Sequence, residues 1–150
     1  MKLAEALILR ADLDTRMEEL RARLTANALV QEGEQPAEDP AELLSELEQT
    51  AEELCRLIYS INLTNASVFK DGRSITELLA RREVLSRRIS VMQSFLDTAS
   101  RQVMRGSRME VKVHSTVPVP ELRKKTDELS RELRKLDTSI QALNWQTELK

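Results

Sequence analysis

The chain has few of the residues from which metal centres, disulfides and β-rich folds are built. It contains one cysteine, Cys55, and one histidine, His114, which are too few for a disulfide framework, a Cys/His zinc site or a carboxylate-bridged di-metal bundle. Aromatic residues make up only 3% of the 150 residues, and there are 3 glycines and 4 prolines. β-Barrels and β-sandwiches need many turn residues and usually more aromatics. We therefore expect no metal, no cofactor and no all-β fold.

Long apolar runs are also absent. No stretch approaches the ~20 apolar residues that cross a bilayer, and Glu5 and Arg10 interrupt the apolar run that a signal peptide would need. We expect a cytoplasmic protein that does not enter a membrane. Cys55 lies in a leucine-rich helical pattern, which predicts a small core residue rather than a reactive thiol.

Charge and leucine, by contrast, are abundant. Residues 1–75 carry 8 basic and 15 acidic side chains, a net charge of −7, whereas residues 76–150 carry 15 basic and 10 acidic, a net charge of +5. Such a split indicates either that the basic half binds nucleic acid or that the two halves pack together, within the chain or between subunits. We favour packing, because Phe95 is the single aromatic residue in the basic stretch 81–112 that could stack on a nucleic acid.

Four segments repeat apolar residues in alternating steps of three and four, as in a helix with one apolar face. They predict helices over about 2–31, 40–66, 74–106 and 120–147. Asp39, Pro40 and Glu42 form a strong start for the second helix, since Asp is a good N-cap and Pro suits the first helical position. The Asp71-Gly72 pair predicts a tight turn before the third helix.

One segment has a different period. Met109, Val111 and Val113 alternate with polar residues, which is typical of a short strand. A single strand cannot satisfy its own backbone, and the other candidate strand, 67–70, would lie at the opposite end of a helix ~45 Å long. Either the chain runs back along the helices or the strand pairs with another subunit. We prefer the second interpretation, which predicts a homo-oligomer.

The predicted fold is all-α with a short β segment. Four long helices with short connections favour antiparallel neighbours, so we expect an elongated antiparallel bundle or a pair of long helical hairpins. Short strands are expected near residues 67–70 and 109–114. Residues 1–150 are expected to form a single helical domain.

Polar residues interrupt the apolar stripes at Arg10, Asn27, Asn65 and Arg82. Burying an unpaired charge costs several kcal/mol, so each arginine should reach a carboxylate or solvent. If the helices alternate in direction, Arg10, Arg82 and Asp137 lie at similar depths from one end. We therefore predict an ionic cluster of these three residues, which Glu83 could join.

Amides and the single tryptophan are expected near the same end: Asn62 and Asn65 from the second helix, and Asn144 and Trp145 from the fourth. Together with Arg10, Arg82 and Asp137 they could bind a small anionic or polar ligand. Alternatively, they cap helices, fix the register and hold subunits together. We favour the structural interpretation, and no residue is assigned a catalytic role.

Several short segments resemble an uncharacterised bacterial family whose members often carry the name septicolysin. They are MKLAEAL (1–7), VQEGE (30–34), PAEDP (36–40), DGR (71–73), LLARR (78–82), LD (136–137) and NW (144–145). Pro118 and Leu63 depart from the family pattern. The resemblance covers almost the whole chain but implies no known chemistry, and the mixed Glu/Arg faces of the helices give little support to a cytolysin.

The leading hypothesis is a cytoplasmic helical homo-oligomer with a structural or protein-interaction role. The alternative is a bundle that binds a small ligand, or acts on one, through the Arg/Asn/Asp cluster. Nucleic-acid binding and membrane activity rank below these two, and whether the protein is an enzyme stays open.

Overall fold

The structure is a computed structural model that describes residues 1–101 and 113–150. This part of the chain forms four α-helices and one β-hairpin. The elements are α1 (Leu3–Ala26), α2 (Pro40–Ser67), β1 (Phe69–Lys70), β2 (Arg73–Ser74), α3 (Ile75–Ala99) and α4 (Val119–Gln146). The predicted all-α class with a short β segment is confirmed.

The chain forms two compact units. The first comprises Met1–Thr76 and Gln141–Lys150, and the second comprises Glu77–Ile140. The helices α3 and α4 therefore each contribute to both units. Our expectation of a single domain stays a prediction.

The first unit is built on an antiparallel hairpin of α1 and α2. Its core consists of residues from the predicted apolar stripes, including Leu13 and Leu20 of α1 and Leu54 and Ile61 of α2. Burying one such side chain contributes about 1.5–3 kcal/mol, so this seam holds the two helices together. Cys55 is exposed, so the prediction that it is a core residue is wrong; it lies one position beyond the buried Leu54 and points away from the seam.

The first helix ends earlier than predicted. It stops at Ala26 rather than near residue 31, because Asn27 leaves the helix and becomes its C-cap. The Asn27 side chain donates to the carbonyl of Arg23 at 2.9 Å, and its oxygen accepts the backbone N–H of Glu38 at 3.0 Å. This buried amide therefore connects the end of α1 to the segment that leads into α2.

The start of α2 is confirmed. Asp39 is the N-cap and its carboxylate accepts the backbone N–H of Ala41 at 2.9 Å, while Pro40 is the first helical residue. The cap satisfies one of the N–H groups that have no partner inside the helix.

The turn between α2 and α3 closes a two-stranded hairpin. Phe69 pairs with Ser74 and Lys70 with Arg73. Asp71 and Gly72 have φ angles of 52° and 79°, and a type I′ turn requires positive φ at both central residues. The first short strand therefore pairs with Arg73–Ser74, which the sequence analysis did not include among the strands.

The second unit contains an antiparallel pair formed by α3 and α4. Leu78, Ile89 and Leu96 of α3 and Ile140 of α4 are buried. Polar contacts between the two helices join Arg82 to Asp137 and Arg123 to Ser100. Within each unit the helix pair is antiparallel, α1 with α2 and α3 with α4, as the sequence predicts for neighbouring helices.

The third helix ends at Ala99, before the predicted end near residue 106. The backbone N–H of Arg101 bonds to the carbonyl of Thr98, an i to i+3 bond that tightens and closes the last turn. Residues 102–112, which hold most of the predicted strand at 109–114, lie outside the described residues. Val113 and His114 are described and belong to neither a helix nor a strand.

The last four residues bind back onto the start of the chain. The N–H of Leu3 donates to the carbonyl of Thr147, and the N–H of Leu149 donates to the carbonyl of Met1, both at 2.9 Å. The N–H of Lys150 donates to the Thr64 hydroxyl oxygen of α2 at 3.0 Å. We call this arrangement of residues 147–150 the terminal clasp.

The Asn27 contacts lead to a stability prediction. Replacing Asn27 by Ala removes both side-chain bonds and leaves the Glu38 N–H without its acceptor, which should lower the free energy of unfolding by about 1–2 kcal/mol. Urea unfolding followed by circular dichroism measures this loss. The control is Thr25→Ala, which removes an exposed hydroxyl from the same helix end and should change stability by less than about 0.5 kcal/mol. Equal effects of the two substitutions would contradict the bridging role of Asn27.

Candidate functional site

A cleft of about 380 Å³ lies between the start of α1 and the end of α4. We call it the α1–α4 cleft. Its walls are Ala4, Leu7, Ile8, Ala11, Asp12, Gln141, Asn144 and Trp145, all of which belong to the first unit. Its volume falls within the range of about 300–1,000 Å³ that is usual for small-molecule sites.

The spacing of residues along the two helices explains the cleft. On α1 the lining residues occur at steps of three or four, which places them on one face, and Ala4 and Ala11 leave space where larger side chains would fill it. On α4, Asn144 and Trp145 follow Gln141 by three and four residues, so these three side chains also share a face. One apolar wall therefore faces one amide-rich wall.

Asn144 is the most deeply placed polar group of the cleft, with only 6% of its surface exposed. Trp145 is 55% exposed at the edge. Asp12 is the only charged residue of the lining, and it forms no ion pair within residues 1–101 and 113–150. The cleft thus combines a free carboxylate, two amides and an aromatic ring over an apolar floor.

The structure brings together part of the predicted ionic cluster. Arg82 of α3 pairs with Asp137 of α4 at 3.5 Å, and both line a second, larger cleft between those helices. Arg10 pairs instead with Asp14, one turn further along its own helix, at 3.9 Å. Glu83 likewise pairs with Arg87 on its own helix. The Arg82–Asp137 pair is confirmed. Arg10 and Glu83 each pair with a residue of their own helix instead.

The predicted amide group is also divided. Asn144 and Trp145 line the α1–α4 cleft, whereas Asn62 is exposed and Asn65 half-buried in the last turns of α2, outside that lining. Sequence reasoning missed Asp12 and Gln141. Gln141 could have been found from its i, i+4 spacing to Trp145, but the position of Asp12 depends on the pairing of α1 with α4.

Two carboxylates outside the cleft have lowered pKa values. The Arg23 guanidinium donates to both carboxylate oxygens of Glu38 at 3.1 Å, which lowers the pKa of Glu38 and raises the pKa of Arg23. In the terminal clasp, Glu148 accepts hydrogen bonds from Lys2 and from the amino group of Met1, and these contacts lower the pKa of Glu148. Both shifts favour the ionised carboxylate in the folded protein.

Two helices expose apolar lines that no core uses. The α2 ridge comprises Leu44, Glu48, Glu52, Cys55, Tyr59 and Leu63, and the α3 ridge comprises Val84, Arg88, Val91 and Phe95. Every residue of both ridges is exposed. The spacing of three and four residues along each ridge keeps its side chains on one helix face.

Metal-binding groups and membrane-spanning helices are both absent from the described chain. Residues 1–101 and 113–150 contain no group of three or more His, Cys, Asp or Glu side chains that could hold a metal ion. In the same residues, no helix combines the length and the apolar character needed to cross a membrane.

These features define a small, charged helical protein with open clefts and exposed apolar ridges. The chain belongs to a family of unknown function (DUF6847), whose sequence profile matches residues 10–149. The name septicolysin, suggested by the sequence resemblance, is not supported by this family or by the structural comparison.

A solved structure supports the fold. The crystal structure of a functionally unknown conserved protein from Corynebacterium diphtheriae is 40% identical in sequence, with a TM-score of 0.90. The similarity covers 100% of this chain and 99% of that chain. Among curated proteins, no significant match was found.

The lowered pKa values of Glu38 and Glu148 predict how stability depends on pH. Each carboxyl binds its proton more readily in the unfolded chain, where the pKa is about 4.3, so its contribution is complete above that pH and is lost as the pH falls through the lowered folded value. The double variant Glu38→Gln/Glu148→Gln should therefore lose stability less steeply below about pH 5 than the wild type does.

Urea unfolding at a series of pH values measures these slopes. The matched control is Glu128→Gln/Glu132→Gln, which removes two exposed carboxylates of α4 that form no ion pair within the described residues. If the control flattens the acid slope as much as Glu38→Gln/Glu148→Gln does, the contacts of Glu38 and Glu148 are not the source of that slope.

Proposed function

We propose that the protein is a cytoplasmic helical interaction module that assembles with copies of itself, the α2 ridge of one copy packing on the α3 ridge of another. The observation that carries this proposal is the exposure of large apolar side chains in regular lines. Tyr59 of the α2 ridge is 67% exposed and Val91 of the α3 ridge is 68% exposed. Exposed apolar side chains that are grouped on one helix face mark interaction sites more often than single exposed residues do.

The charges of the two ridges are complementary. Glu48 of the α2 ridge and Arg88 of the α3 ridge form no ion pair within the described part of the chain. A second copy would place the acidic line against the basic one. Opposite charges at the edge of an apolar contact favour the correct partner and register.

The spacing of residues along the α2 ridge matches the spacing along the α3 ridge. Glu48, Glu52, Cys55 and Tyr59 follow steps of four, three and four residues, and the four residues of the α3 ridge follow the same steps. Over these twelve residues, or eleven helical steps, each line extends ~16 Å along its helix axis. The side chains of one line can therefore contact those of the other along its whole length.

Pairing of two different surfaces restricts the assemblies that can form. The contact is either doubled by a two-fold axis or repeated head to tail, around a ring or along an open filament. In both cases the exposed thiol of Cys55 lies within the interface, and an unpaired thiol suits the reducing cytoplasm. The net charges of −7 and +5 on the two halves of the chain fit the same mode of assembly.

Substitution within the ridges tests the proposal. Tyr59→Glu and Val91→Glu each bury a charge in the apolar contact and should weaken self-association at least about tenfold, or 1.4 kcal/mol. Sedimentation velocity over a range of protein concentrations measures the change. Gln49→Glu and Gln93→Glu add the same charge to exposed positions of the same helices away from the ridges, and these controls should assemble as the wild type does.

Two results would overturn the proposal. One is a wild-type protein whose sedimentation coefficient remains that of a monomer at every concentration. The other is a monomer that binds nucleic acid in a salt-sensitive way and loses this binding in Arg88→Ala, which would assign the α3 ridge to a phosphate backbone instead.

A further inference from the structure

The α1–α4 cleft holds a buried polar side chain without a partner. Five polar residues are buried in the described chain: Asn27, Thr50, Thr64, Thr126 and Asn144. The three threonine hydroxyls each donate to the carbonyl four residues earlier at 2.8 Å, and Asn27 has the two bonds described above. Asn144 alone has no side-chain hydrogen bond within residues 1–101 and 113–150.

No side-chain nitrogen or oxygen atom of the described residues is both buried and without a hydrogen bond, so the polar atoms of the Asn144 amide still reach solvent. Asn144 is 94% buried, since 6% of its surface is accessible, and it forms part of the wall of the cleft. The amide can therefore bond to a molecule in the cleft in place of water. The backbone of α4 already holds Asn144 in place before any ligand arrives.

The charge of the lining selects the kind of ligand. Asp12 is its only charged residue, so an anion would be repelled and a cation attracted. The indole ring of Trp145, at the edge of the cleft, adds a surface to which cations bind well. This differs from the small anionic or polar ligand that the sequence suggests as an alternative, because Arg10 and Arg82 are absent from this lining.

The number of hydrogen-bond acceptors in the lining further restricts the class of ligand. Asp12, Gln141 and Asn144 each offer a side-chain oxygen, and a primary ammonium group carries three N–H donors. Leu7 and Ile8 form the apolar part of the wall, against which a hydrocarbon or aromatic body would pack. We propose that the α1–α4 cleft binds a small primary amine with an apolar body, its ammonium group held by Asp12, Gln141 and Asn144.

The chain carries its own reporter for this test. Trp145 is the single tryptophan, so its fluorescence reports directly on the edge of the cleft. We would titrate the protein with 2-phenylethylamine up to about 10 mM, a range that detects even weak binding. The neutral 2-phenylethanol and the anionic 3-phenylpropanoate have similar bodies, and both should bind at least about tenfold more weakly than the amine.

Three variants locate the ligand. Asp12→Asn removes the ion pair from an exposed position and should weaken amine binding at least about tenfold. Ala11→Leu fills the cleft from its rim and should also weaken binding. Asp14→Asn makes the same charge change on the same helix outside the cleft, and it should bind as the wild type does.

The outcomes are distinct. Saturable binding of the amine that depends on Asp12 supports the proposal, and circular dichroism shows whether each variant is folded. The absence of saturable binding, equal binding of the anion, or equal losses in Asp12→Asn and Asp14→Asn would overturn it. Sedimentation measures self-association separately, so either proposal can fail without the other.

Discussion

The terminal clasp is the contact on which the first unit depends. The first N–H groups of a helix have no partner within it, and at the start of α1 the carbonyl of Thr147 supplies one. The same four residues reach the buried Thr64 of α2 through Lys150. Because the clasp joins the start of α1 to the end of α4, it also sets the two walls of the α1–α4 cleft against each other.

Many of the charged side chains form ion pairs within a single helix. Arg10, Arg81 and Arg87 each pair with a carboxylate one turn away on the same helix, and exposed pairs of this kind contribute little to stability. Other ion pairs join different elements, such as Arg16 of α1 with Glu46 of α2. Arg23 binds both oxygens of Glu38 in the connection between α1 and α2, beside the Asn27 amide that holds the same connection.

Helix positions could be predicted from the sequence because they depend on local patterns. Steps of three and four apolar residues placed Leu13, Leu54 and Ile89 in the core, and Asp39 with Pro40 marked the start of α2. The predicted positions of the helix ends were less accurate. Asn27 fits an apolar stripe by spacing, and its role as a cap depends on Glu38, which only the folded connection brings near.

Contacts between helices depend on pairing that no short pattern reports. Arg82 and Asp137 were correctly matched by their depth along antiparallel helices. The same reasoning did not predict the partner of Arg10, which pairs with Asp14 on its own helix. Asn144 and Trp145 were correctly chosen as unusual residues, but the electrostatic character of their site depends on Asp12, which lies more than a hundred residues away in sequence.

The first unit is built from two separate stretches of the chain, and their order of synthesis affects how the unit folds in the cell. Residues 141–150 complete this unit, yet they are synthesised only after the whole of Glu77–Ile140. The α1–α2 hairpin can form early from local contacts, while the clasp closes a loop of more than 140 residues and must wait until residues 147–150 have been synthesised. Until then α4 does not cover the start of α1 and its apolar face near Leu7 and Ile8. The nascent chain therefore passes through a stage at which this apolar surface is open to chaperones.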